Sequence, residues 1–169
     1  MARAVLDEIF NRIVTATADK VKTLGFVRRG ALLRVVKDGN AGVIEFQKSS
    51  KSSSEVILFT VNLVVICGSL LDPEHGSVEK AKSYDAHLRQ RIGMLMAGRP
   101  DKWWEIKGNT EAEALSVEVF DLILSEGAPY IMRYLDSDQL AALWKSGKSP
   151  GLTETQRVRF LEKLARRPD

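Results

Sequence analysis

LLRVVKDGNAGVIEFQKSSKSSSEVILFTVNLVVIC, residues 32–67, is the stretch on which the fold turns. Leu32 to Val36 is short, apolar and rich in β-branched side chains, as a strand requires. Lys37-Asp38-Gly39-Asn40 carries the Asp-Gly pair of a tight hairpin turn, and Val43 to Lys48 reads as the returning strand. The polar, serine-rich run from Ser49 to Glu55 is a loop, and Val56 to Cys67 is the longest strand. Sequential strands with short connections pair antiparallel, as a meander.

Upstream, residues 3–24 place Val5, Ile9, Ile13, Ala16 and Val21 at helical spacing, and Gly25 supplies the stop. Downstream, Asp72 to Gly76 is a loop, and Ser77 to Gln90 fits a loop or a short helix. Arg91 to Met96 reads as a strand and Trp103 to Ile106 as an edge strand. From residue 110 the pattern is helical. Thr110 and Glu113 have capping-box spacing, with Leu115, Val119, Leu122 and Ile123 on one face behind them. Gly127 and Pro129 are expected to end that helix and start a short one through Leu135. Ser137 to Lys145 is a further helix, Gly147 to Gly151 a linker, and Thr153 with Gln156 caps a last helix. The fold expected is α+β: an antiparallel sheet of about four to five strands, with an N-terminal helix and several C-terminal helices packed on it. Residues 1–149 form a single domain, and residues 150–169 add a basic amphipathic helix to it.

Composition narrows the function classes. A chain of 169 residues suits one domain, and 44% hydrophobic with 28% charged residues is the balance of a folded protein. The net charge of +3 is small for a dedicated nucleic-acid binder. Much of it sits at the end, where Arg157, Arg159, Lys163, Arg166 and Arg167 face only Glu162. The lone Cys67 excludes an intramolecular disulfide and a cysteine-based zinc site, and suits a reducing compartment. Acidic residues interrupt the N-terminus before an apolar leader develops. The run from Val56 to Gly68 is too short to span a bilayer and is broken by Thr60 and Asn62. A cytoplasmic location without membrane association is expected.

Strand alternation supplies the best candidate site. Glu45 and Gln47 on one strand and Thr60 and Asn62 on the next share a face, a polar patch amid apolar neighbours. Such a patch can line a binding groove; the simplest account is the solvated side of an antiparallel sheet. Trp103 and Trp104 are adjacent in an extended segment and point to opposite faces. One is then core and the other free to anchor a ligand or partner. Basic residues (Arg28, Arg29, Arg34, Lys48, Lys51, then Arg89, Arg91 and Arg99) could clamp an anion, but no phosphate loop accompanies them, and a solvated surface is the plainer reading. Cys67 lies in the most apolar strand, His75 and His87 fit no ligand spacing, and nucleophile, P-loop and dinucleotide motifs are missing. No catalytic residue, metal or cofactor is expected.

The order of signals resembles a known family. Leu24-Gly25-Phe26 precedes Arg28, Arg29 and Gly30. Then come VIEFQKS at 43–49, FTVNL at 59–63, Arg91-Ile92-Gly93, and Asp101-Lys102-Trp103-Trp104. Together these resemble the domain-of-unknown-function family 4304, found mainly in bacteria, from the first helix to about Trp144. The resemblance implies a globular bacterial domain and no established activity; the tail after Ser149 follows no shared pattern. The function expected is a binding or interaction protein that recognises a protein partner or a small anionic ligand. Its ligand-binding residues would be Glu45, Gln47, Thr60, Asn62, Arg91, Trp103 and Trp104. The alternatives are a small enzyme acting on an anionic substrate, with Glu45 as base and Arg28 or Arg91 as clamp, and nucleic-acid binding by the C-terminal helix. Nucleic acid is disfavoured, and the sequence specifies no oligomeric state.

Overall fold

The structure, a computed structural model, describes residues 2–166, apart from the side chain of His75; Arg167 of the basic tail lies outside the described residues. Helix α1, Ala2–Val21, runs into a tight turn at Lys22–Leu24. Gly25 ends it in the left-handed conformation, φ 93°, its amide donating to the Lys22 carbonyl. Six strands follow: β1 Val27–Arg29, β2 Leu32–Lys37, β3 Asn40–Lys48, β4 Ile57–Cys67, β5 Leu88–Arg91 and β6 Trp104–Ile106. The chain closes with α2 Ala112–Leu122, α3 Ala128–Tyr134, α4 Ser137–Lys145 and α5 Glu154–Ala165.

All pairings are antiparallel, in the order β1-β2-β3-β4. The outer edge of β4 is shared: β5 pairs with Asn62 to Val65 and β6 with Ile57 to Phe59. The β2–β3 hairpin closes at Asp38 and Gly39, φ 53° and 78°, the geometry that Asp-Gly supplies at least steric cost. On one face of β4, Ile57, Phe59, Val61, Leu63 and Val65 are fully buried in a core shared with the helices. Phe59 is its aromatic centre, 5.4 Å from the Trp104 ring and 5.5 Å from that of Phe10. On the opposite face, Ala41, Val43, Val64 and Ile66 are covered by Val78 and Ala81 of the connection between β4 and β5. Arg34 pins that connection, its guanidinium donating to the carbonyls of Val78 (2.5 Å) and Ala81 (2.7 Å). This face is therefore not the bare solvated surface that alternation allows.

Three local expectations are corrected. The strand expected at Arg91 to Met96 lies earlier, at Leu88–Arg91; the chain turns tightly at Ile92–Leu95. There a side chain at Gly93 would collide with the Pro100 carbonyl and the Lys102 amide. Thr110 does not cap α2: its hydroxyl accepts from the Lys107 amide in the preceding turn, and the residue before the helix is Glu111. Gly127 and Pro129 do not break the chain of helices. Residues Ile123–Gly127 form a wide turn that joins α2 to α3, and Pro129 sits in the first turn of α3, where a missing N–H costs nothing. Gly127 passes close over the sheet: a Cβ there would lie 3.1 Å from Ile92 and 3.2 Å from Leu63, so both side chains would have to give by a few tenths of an ångström.

Candidate functional site

The register of β3, β4 and β5 sets Glu45 opposite Asn62, and Asn62 opposite Arg91; Gln47 faces Thr60. Six of the side chains expected at the site are thus brought to one side: Glu45, Gln47, Thr60, Asn62, Arg91 and, from the segment before β6, Trp103. The seventh, Trp104, is on the helix side, 3% exposed, with its indole N–H donating to Glu118 Oε1 at 2.9 Å. The two tryptophans lie on opposite faces as expected: Trp104 belongs to the core and Trp103 is half-buried on the other side.

Asn62 is the hub of the polar row and is only 2% exposed. Its amide donates to Glu45 Oε2 at 3.0 Å and to Gln47 Oε1 at 2.6 Å. Arg89 adds an ion pair to the same Glu45 oxygen at 2.7 Å. Thr60, fully buried, donates its hydroxyl to the Lys102 carbonyl at 2.7 Å and so fixes the segment that leads into Trp103. Asp101 sits at the rim with one oxygen on Arg91 Nη1 (2.7 Å) and the other on the Trp103 indole N–H (3.1 Å). These two bonds, Arg91 first, hold its carboxyl below the usual carboxylate range. The Arg91 guanidinium lies 4.9 Å from the Trp103 ring centre. Cation, indole and carboxylate form one oriented unit, half open to solvent.

Arg89 and Asp101 were not among the residues expected at the site. Both follow from period-two spacing, Arg89 two residues before Arg91 and Asp101 two before Trp103, once β5 is placed at 88–91. Other basic residues are dispersed rather than gathered. Arg28 is on the helix side, bonded to the Thr15 hydroxyl and the Gly30 carbonyl, away from Glu45; Lys48 pairs with Asp7 of α1. On α5, Arg157 is held by Glu154 and the Trp144 carbonyl, and Lys163 by the Leu70 carbonyl and Asp72. Among the described residues no cluster of His, Cys, Asp and Glu is arranged to hold a metal, and no helix is long and apolar enough to cross a membrane.

Fold and site together define a small α+β domain whose sheet carries an internally bonded polar row ending in an Arg–Trp–Asp unit. The chain belongs to the family described as domain of unknown function DUF4304, whose family model matches residues 17–133. The match covers β1 to β6 and α2 and ends within α3, short of the Trp144 to which the resemblance was expected to reach. No curated protein and no solved structure matches the chain.

Proposed function

We propose that this protein is a binding module that recognises a protein partner through the sheet face bearing Glu45, Gln47, Asn62, Arg91 and Trp103. One observation carries the reading: Asp101 bonds both Arg91 and Trp103, so an arginine and a tryptophan are presented in a fixed mutual orientation at the surface. These are the side chains that dominate protein interfaces, and orienting them before contact lowers the entropy lost on binding. The hydrogen-bonded row behind them supplies a rigid floor. The chain is read as a cytoplasmic protein, supported by its single, buried, unpaired thiol. A bacterial source is part of the same proposal and rests on the resemblance seen in the sequence.

The test is capture of partners from nuclease-treated lysate by wild-type protein, Arg91→Ala and Trp103→Ala. A protein captured in stoichiometric amount by wild type and at least tenfold less by both variants, with unchanged thermal midpoints, supports the reading. Equal capture by all three removes this face from the function.

A further inference from the structure

A cleft of about 380 Å³ lies between helix α5 and the connection from β4 to β5. That volume is at the small end of the range of about 300–1,000 Å³ typical of ligand pockets. No residue of the Arg–Trp–Asp unit borders it. Leu71, Ala86 and Phe160, each half-buried, give it apolar walls, and Tyr84, 83% exposed, borders it too.

One polar group in this wall is set deep. His87 is only 6% exposed, and its ring borders the cleft. Its Nδ1 accepts from the Cys67 amide at 2.9 Å, so the neutral ring carries its proton on Nε2. Burial keeps the ring neutral, its pKa pushed down to about 4; Lys163 adds to this, and Asp85 and Asp72 oppose it. The two nitrogens point to opposite sides of an imidazole. With Nδ1 turned inward to the end of β4, Nε2–H turns outward, and it has no acceptor among the described residues. It is not sealed off either: among those residues, Trp144 Nε1 is the one fully buried side-chain nitrogen or oxygen without a partner. His87 Nε2–H is therefore open to the cleft that its ring borders.

Arg159 is the second available donor. It borders the same cleft, its guanidinium 5.6 Å from the Phe160 ring centre, and has no carboxylate partner among the described residues. The other charges there are engaged. Lys163 pairs with Asp72 at 3.6 Å and donates to the Leu70 carbonyl, and Asp85 accepts from the Lys82 amide. What remains for a ligand is a guanidinium and a neutral N–H beside apolar walls.

We propose that this cleft binds a small organic carboxylate: its oxygens accept from His87 Nε2–H and pair with the Arg159 guanidinium, and its apolar body lies against Leu71, Ala86 and Phe160. A guanidinium presents paired N–H groups that match a carboxylate, and a donor this deeply set gains more from an acceptor than one already in water. Arg159 and Phe160 lie beyond residues 17–133, so the family match does not account for this site.

The test is a titration of the full-length chain with benzoate, isovalerate and acetate, followed by NMR on the side-chain nitrogens of His87. Benzoate or isovalerate is expected to saturate with a Kd of about 1 mM or tighter, a strength within reach of so small a ligand. Saturation should shift the His87 Nε2 resonance. Acetate, which lacks the apolar body, should bind at least tenfold more weakly. Arg159 is exposed, so Arg159→Ala should lower the affinity at least tenfold with an unchanged thermal midpoint. The proposal is overturned if no acid saturates up to about 10 mM, or if acetate binds as tightly as the larger acids. It is equally overturned if saturation leaves the His87 nitrogen unmoved, or if Arg159→Ala binds as wild type does.

Discussion

On the helix side of β4, Ile57, Phe59, Val61, Leu63 and Val65 are wholly buried; on the other side, Thr60 and Asn62 are buried almost as completely. The first set excludes water by filling volume, which has no direction and tolerates many sequences of similar size. The second set excludes it by hydrogen bonds whose donors and acceptors must each be met. A protein that only needed stability would gain little from the second arrangement. Its presence beside the smaller apolar cluster of Ala41, Val43, Val64 and Ile66 distinguishes this face from the helix side, and this is where the proposed recognition row lies.

The largest effect is expected where volume is lost. Phe59→Ala removes the ring that Phe10, Phe46 and Trp104 surround and should cost about 3–5 kcal/mol in urea unfolding. A cost below that of the polar-face variants would overturn the division drawn between the faces.

Next comes the end of β4, where the polar side meets α5. His87 is 6% exposed, and burial, assisted by the charge of Lys163, pushes its imidazole down to about 4. Asp72 and Asp85 act in the opposite direction without cancelling this, and Arg159 borders the same cleft. Because the folded value is the lower one, the stabilising contribution is complete above about pH 6.5. It is lost as pH falls from there toward 4, by up to roughly 3 kcal/mol. Protonation would also take the Nδ1 lone pair from the Cys67 amide. His87→Gln should flatten the pH dependence of the thermal midpoint across that window; an unaltered profile would mean that other groups cause it.

Asn62→Ala should cost about 1–3 kcal/mol, because Gln47 loses the donor it is bonded to. Asn62→Asp should cost more, since it sets a second carboxylate beside Glu45. Equal costs for the two variants in chemical denaturation would show that the row contributes shape and not hydrogen bonding.

The sequence made these faces legible to different degrees. Period-two alternation placed Glu45, Gln47, Thr60 and Asn62 together because β3 and β4 are long and bounded by clear turn residues. It could not show that Thr60 is bonded to the Lys102 carbonyl, from a segment about 40 residues further on. β5 was misplaced because its four residues, Leu88–Arg91, carry three polar side chains and no hydrophobic alternation. The short helix expected after Gly127 is present as α3, but the wide helical turn that joins it to α2 was not legible, because close packing against Ile92 and Leu63 is a tertiary demand with no local signature.

The smallest effect on stability, and the sharpest on the proposed site, is expected at Asp101. Its carboxylate is at the surface, so Asp101→Asn should leave the thermal midpoint where it is. What changes is orientation: the bond to Arg91 loses its charge assistance, and the Trp103 indole loses a charged acceptor. The indole N–H resonances report this directly. That of Trp103 should shift and exchange faster, while those of Trp104, bonded to Glu118, and of Trp144, fully buried, stay unchanged. In wild type the Trp103 signal should persist through mild acid and change only below the ordinary carboxylate range, because Arg91 and Trp103 stabilise the ionised form. If Asp101→Asn weakens partner capture while only the Trp103 resonance moves, recognition depends on the fixed pose of the arginine and tryptophan. If capture is unchanged, their presence is enough and Asp101 is a bystander.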